Sequence, residues 1–450
     1  MDLLGFLATW AGILSFGYLF YQESGRRIDT QSITKKQVAV AVIIATFLVF
    51  LVRASGLIQG WELGMYDRMM RLRRTESPAP RITIISVNEG DIKYQIENNM
   101  NMKGSLSDEA LELLLNKIYP YNPRTVGLDI YHDYPFEPES LENLVNEREN
   151  FFTICQSPSQ EHEGIRPAPN FIDARVGFSD FQTDKDNILR RHLLAMDRPE
   201  EDTEGICPVE YSFSSLICLD YLSQEENINF DLEDNPWQIN TVKLKQFKIP
   251  FGGYQKLEDS RESRGYQLML NYRSLTDHRE ISNSIYSLRQ ILEETNDQTL
   301  ERWIKDKVIL IGVDNVIRDN WLTTNNISQP RNQGETSGVF IQGHMISQIL
   351  SAVLDGRPLI WTFSTGVDLI WILFWSCVAG WIVFKYDNPL LIVLLGALTI
   401  SILFGVCSLF LAFGGWVPFV PACISFLLTG SLPYLYLLLQ AKFKPVNSNQ

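Results

Sequence analysis

Arg81-Ile-Thr-Ile-Ile-Ser-Val87 is β-branched and almost continuously apolar, the pattern of a strand buried on both faces. Downstream, Leu106, Ala110, Leu111, Leu114, Leu115 and Ile118 recur at helical spacing. Ser107 is the candidate N-cap of that helix, and Asp108 and Glu109 fall in its first turn. Pro120 and Pro123 stop it, and Thr125-Val-Gly-Leu-Asp-Ile130 reads as the next strand. Strand, helix and strand over residues 81–131 make a βαβ unit, with parallel strands and a right-handed crossover.

A second unit of this kind is read over about 267–313. Gln267-Leu-Met-Leu-Asn-Tyr272 is strand-like, 282–292 reads as a helix, and Lys307-Val-Ile-Leu-Ile-Gly-Val313 is the clearest buried strand in the chain. A last helix carries Met345, Ile346, Ile349, Leu350, Val353 and Leu354 on one face, with Gly356 as its C-cap candidate and Pro358 beyond. Between the units, 151–156, 176–181 and 187–196 look like strands and 211–222 like a helix, while 157–170 and 224–265 look irregular. The expected fold is one α/β domain over 60–358, a mostly parallel sheet with flanking helices.

Both ends of the 450-residue chain are apolar. Five stretches, about 3–21, 38–52, 359–384, 390–413 and 417–439, can span about 30 Å of hydrocarbon at about 1.5 Å per residue. The second is short, but Arg53 can snorkel outward from its end. The first has Met-Asp where a signal peptide carries bases, so it reads as a retained helix. The expected organisation is two helices and a loop over 1–59, the domain, three helices over 359–440, and a tail over 441–450.

Charge follows the same partition. Only 8 of the 39 Lys and Arg and 5 of the 53 Asp and Glu lie outside 60–360, so the middle carries net −17 of the chain's −14. That balance excludes a nucleic-acid partner, because phosphate recognition needs basic charge. Arg26, Arg27, Lys35, Lys36, Lys385, Lys442 and Lys444 fall on one side of a five-span path, which makes that side cytoplasmic and the acidic domain external. Arg68, Arg71, Arg73 and Arg74 argue the other way; they read as a helix end near head groups or a clamp within the domain. Asp368 falls about one turn inside the third span, where it flags function or simply reaches head groups.

The order of motifs is specific. Asp67-Arg68-x-x-Arg71-Leu72-Arg73 leads into the first strand; Val126-Gly-Leu-Asp-Ile-Tyr131, Val176-Gly-Phe-Ser-Asp-Phe181 and Asn187-Ile-Leu-Arg-Arg191 follow. Leu270-Asn-Tyr-Arg273, Asp306-Lys-Val-Ile-Leu-Ile-Gly312 and Gly338-Val-Phe-Ile close the series. This resembles the CHASE-two family, the second class of extracellular sensor domains associated with cyclases and histidine kinases. The likeness covers about 60–358, and the ending Gln348 to Pro358 is most similar to cyanobacterial members. It implies a multi-pass plasma-membrane protein with a periplasmic sensor domain. One departure is the segment after Asp319, Trp321-Leu-Thr-Thr-Asn325, where many relatives have Thr-Pro. Another is the expected lack of a fused output domain.

Of the six cysteines, Cys377, Cys407 and Cys423 lie in apolar spans and read as small fillers. Cys155 ends a strand and Cys207 precedes Pro208 in a loop, so an oxidising compartment favours that pair, with Cys218 buried in a helix stripe. Ligands of open parallel sheets collect at the carboxyl ends of strands. Glu89 and Asp91 follow the first strand, Asp129, His132 and Asp133 the second, and Asp314, Arg318 and Asp319 the Ile-Gly strand. If these strands are neighbours, the groups converge on one mouth that could take a polar ligand or a divalent cation. Solvated strand ends rich in Asp are the plainer alternative. His344, beside Met345, reads as a helix-packing histidine.

No nucleophile elbow, P-loop or Gly-rich nucleotide fingerprint occurs, so no enzyme is expected and no cofactor is assigned. The expected function is signal input: the external domain detects a ligand and signals through a separate cytoplasmic or membrane output protein. A homo-oligomer stays open. A structural or assembly role without ligand is the alternative, and a metal-dependent hydrolase a third.

Overall fold

The strand read from residues 81–87 stands inside a six-stranded sheet made of β1 (Ile82–Val87), β2 (Thr125–Asp129), β3 (Phe151–Cys155), β4 (Val176–Phe178), β5 (Ser284–Ser287) and β6 (Val308–Val313). The sheet belongs to a computed structural model that describes residues 33–159, 162–197, 204–257, 264–314, 320–324 and 335–443. The spatial order is β5-β1-β6-β2-β3-β4, and every neighbouring pair is parallel. All six residues of β1 are buried, Thr83 and Ser86 included, as its almost continuous apolar run predicts.

In chain order the helices are α1 (Lys35–Ala54), α2 (Gln59–Arg71), α3 (Glu89–Glu97), α4 (Asp108–Ile118), α5 (Glu139–Glu147) and α6 (Phe213–Ser223). They continue as α7 (Leu288–Glu293), α8 (Asp297–Ile304), α9 (Gly338–Asp355), α10 (Thr365–Lys385), α11 (Pro389–Ala412) and α12 (Phe419–Phe443). The chain forms two units: Leu63–Thr362 with Ser408–Trp416, and Met1–Glu62 with Phe363–Cys407 and Val417–Gln450.

The first unit is a three-layer α/β sandwich. Side chains alternate along each strand, so Ile85, Val126, Ile309 and Ile311 face one side and Ile84, Phe152, Val308 and Leu310 the other. Leu111, Leu141, Leu288 and Leu300 bring α4, α5, α7 and α8 onto the first face. Phe213, Ile217, Phe340 and Ile346 bring α6 and α9 onto the second. Ser107 caps α4 by accepting from the Ala110 amide, and Gly356, at φ 68°, ends α9. A disulfide joins Cys155 to Cys207, and Cys218 is free and buried.

Four readings change within this unit. Residues 284–287 form edge strand β5 rather than helix; Ile285 and Tyr286 favour the extended chain, and Ser287 caps the short α7 that follows. The strand at Tyr266–Met269 lies outside the parallel sheet and pairs antiparallel with Arg191–Ala195, so the second crossover unit begins at β5. Glu89 and Asp91, read as acids following the first strand, belong to a cap and helix over 88–97, with the Asn88 side chain accepting from the amides of Gly90 and Asp91. The stretch 224–265 contains an antiparallel meander of Phe230–Asp231, Trp237–Ile239 and Val242–Leu244.

Among the described residues, the second unit holds four helices long and apolar enough to cross a membrane: α1, α10, α11 and α12 over Phe419–Leu437. The proposed first span lies outside the described residues. The third begins later than its apolar run, because Trp361–Thr362 is a short strand paired with Gly415–Trp416. A Cβ at Gly380 of α10 would fall 2.8 Å from a Val38 methyl, so only glycine lets α1 approach this closely. Hydroxyls of Thr46, Ser376 and Ser425 hydrogen-bond in sequence and link α1, α10 and α12. Arg53 does not snorkel outward: it is buried and paired with Glu62 and Asp368.

Candidate functional site

β1, β6 and β2 are consecutive in the sheet, so their carboxyl ends form one edge. Val87 lies opposite Val313, and Gly312 opposite Asp129. From this edge the chain leaves β1 and β2 toward one face and β6 toward the other, because α4 and α5 pack on the first face and α9 on the second. Such a divergence beside β6 marks the position at which open α/β sheets hold ligands. A Cβ at Gly312 would sit 2.5 Å from that of Val339, so the glycine admits the first turn of α9 to this edge.

Asp129 ends β2, and Asp314 directly follows β6. Asp129 is half-buried at the end of β2. The Asp314 amide donates to the Val87 carbonyl at 3.1 Å, and its Oδ1 accepts from the Ser337 hydroxyl at 2.9 Å. Glu89 is exposed in the first turn of α3, and Asp133 is exposed after β2.

Asp91 and His132 turn elsewhere. Asp91 is buried; its Oδ2 accepts from the Asn88 amide and its Oδ1 from the Arg289 amide, so it ties α3 to the start of α7. His132 is buried with Nε2 2.7 Å from Asp108 Oδ1, and its ring stacks on Phe136 at 4.0 Å. Arg318 and Asp319 lie outside the described residues. Among the described residues no group of three His, Cys, Asp or Glu is placed to hold a metal ion.

Sequence reasoning missed the further groups on this edge. The Tyr131 hydroxyl lies 2.7 Å from Ser179 Oγ, and Asp180 accepts from the Ser157 amide at 3.1 Å. Burial pushes the Asp180 carboxyl up from its ordinary value, against that hydrogen bond. Phe181 meets Trp321 edge to face at 5.0 Å. Val176-Gly-Phe-Ser-Asp-Phe181 was visible as a motif, but its register beside β3 was not.

Two polar assemblies secure other parts of this unit. Arg190 and Arg191 are fully buried; Arg190 pairs with Asp67, Asp184 and Asp186, and Arg191 with Asp184 and Gln267. The Tyr254 hydroxyl also donates to Asp184. The second assembly joins the segment entering the domain to the segment leaving it. Arg81 pairs bidentately with Asp355 at 2.7 and 2.8 Å, and Arg357 with Glu76 at 2.7 and 3.0 Å. Arg73 and Arg357 both donate to Asn271 and to the Tyr272 carbonyl, and Asn271 Nδ2 donates to the Pro358 carbonyl. Burial would raise the Glu76 carboxyl, but the Arg357 guanidinium outweighs it and holds it down at about 2.

The model of the CHASE2 domain matches residues 44–381. The chain belongs to the CHASE2 domain family. CHASE2 is a sensory domain family whose members are extracellular sensors. No curated protein and no solved structure matches the chain. For this CHASE2 protein the match extends past both clamped connections, into α1 on one side and most of α10 on the other.

Proposed function

We propose that this CHASE2 protein is the input component of a membrane signalling system, with its α/β unit outside the plasma membrane. A ligand bound at the carboxyl edge around Asp129 and Asp314 alters the sheet, and a separate output protein reads the change through the helices. The reading includes no catalytic step.

The observation that carries it is the clamp between the two connections. Residues 73–81 and 355–358 hold each other through two bidentate Arg–carboxylate pairs and share the 271–272 loop. A movement of that loop therefore reaches both connections together. The membrane part of the reading is supported by exposed apolar faces. Ile43, Phe47 and Leu51 of α1, Ile370 and Phe374 of α10, and Leu390, Leu394 and Leu398 of α11 suit hydrocarbon, not water.

Co-purification in mild detergent would identify the output protein. A flexible Gly/Ser insertion after Asp355 should then leave the domain folded and abolish the partner's response. A response that survives the insertion would favour the assembly role.

A further inference from the structure

Arg53, near the C-terminal end of α1, is held by carboxylates from two other helices. Its Nε lies 3.2 and 3.1 Å from the two oxygens of Glu62, in α2, and its Nη1 2.5 Å from Oδ2 of Asp368, in the first turn of α10. The three side chains are 3%, 2% and 8% exposed, so water screens none of them. The guanidinium has enough N–H donors for two carboxylates but only one positive charge.

Among the described residues, the surrounding elements supply no second base. On α1, Lys35 and Lys36 lie at the opposite end, about 25 Å along the axis. On α10 the other charged residue is Lys385, at its far end. α12, packed against both α1 and α10, contributes Cys423, Tyr434 and Tyr436 as its described titratable side chains, and α11 contributes Cys407. On α2 the next charges are Asp67, which pairs with Arg190, and Arg68. Among the described residues the cluster is one cation against two carboxylates. A second buried anion without a counter-charge is costly, and the inexpensive remedy is to bind a proton.

We propose that Arg53, Glu62 and Asp368 form a proton-binding site in which the two carboxylates share one proton. The site takes up H+ from water, and the neutral carboxylic acid that results hydrogen-bonds within the cluster. Loss of the proton restores a net negative charge and weakens the tie between the start of α2 and the α1–α10 pair. Burial pushes the Glu62 carboxyl up to about 7 despite the opposing pull of Arg53, which puts release near neutrality. A carboxyl raised in the folded state stabilises it at acidic pH, and that stabilisation is lost as pH rises through about 7. The inference stands independently of the signalling role; if both hold, pH is one stimulus the chain detects.

The test is infrared difference spectroscopy of the full chain in lipid nanodiscs, between pH of about 5.5 and 8.5. The wild type should show the carbonyl stretch of a protonated carboxylic acid that disappears across neutrality. Glu62→Gln and Asp368→Asn each leave one carboxylate for one guanidinium, so each alone should abolish the band. Both are near-isosteric copies of the protonated form, so the helices should stay packed. Absence of the band in the wild type overturns the proposal, as does its persistence in either variant. Persistence in Asp368→Asn would assign the proton to burial of Glu62 alone rather than to sharing.

Discussion

The α/β unit and the helical unit bury charge differently. In the first, Arg190 and Arg191 meet Asp67 and Asp184, so two buried cations face two buried anions, while Asp186 stays half open to solvent. In the second, one buried arginine faces two buried carboxylates. A matched network fixes geometry and has little reason to change protonation near neutral pH. An unmatched one carries a charge that a proton can remove. The units also differ in what else joins their parts: a disulfide and an apolar core on each face of the sheet in one, close approach at small residues in the other.

The largest expected effect tests the matched network. Arg190→Met should strand Asp67, leave Asp184 to Arg191 and Tyr254, and destabilise the α/β unit by about 3–5 kcal/mol, read by denaturant unfolding. A loss below about 1 kcal/mol would break the comparison, because it would mean the buried charges do not depend on one another. Next, Cys155→Ser with Cys207→Ser opens a bridge across a sequence separation of 52 and should lower stability by about 2–4 kcal/mol. Full-length protein should show the same shift on reduction; no shift would remove the disulfide as a difference between the units.

In the helical unit, Gly380→Leu drives a side chain into Val38 and Val42 and should lower its thermal stability by about 1–3 kcal/mol. An unchanged melting profile in detergent would show that α1 and α10 do not approach this closely. A further test is a pH dependence within the α/β unit. Glu76 is held down at about 2, so its pairing with Arg357 stabilises the fold above the ordinary carboxylate range and is lost as pH falls toward 2. His192, which burial holds at about 3, also favours the fold above about 6.5 and opposes it as pH falls. Acid should therefore weaken the α/β unit while the Arg53 cluster keeps its proton, and unfolding followed separately in each unit would show the divergence.

Much of the architecture could be read from local pattern. Apolar runs marked β1, β2 and β6, Ser107 marked the start of α4 and Gly356 the end of α9, because these depend on neighbours a few residues apart. The convergence of β1, β6 and β2 was anticipated only as a condition; β6 inserts between strands that precede it by roughly 180 and 220 residues, and nothing local encodes that order. The site was less accessible. His132 has the composition of a ligand but stacks on Phe136 and pairs with Asp108, 24 positions away. Asp91 resembled a strand-end acid but caps helices, for which Asn88 three residues earlier was the available sign. The clamp and the Arg53 cluster join residues 281 and 315 positions apart, so a single sequence offered only Asp368, an acid inside an apolar run, as a flag.

In the proposed reading, the CHASE2 domain lies outside the membrane and reaches an inner partner through its helices. Reporter fusions at residue 160 and at Gln450 in the full chain test it most directly. The account predicts an extracytoplasmic signal at 160 and a cytoplasmic one at Gln450; a cytoplasmic signal at 160 would contradict it.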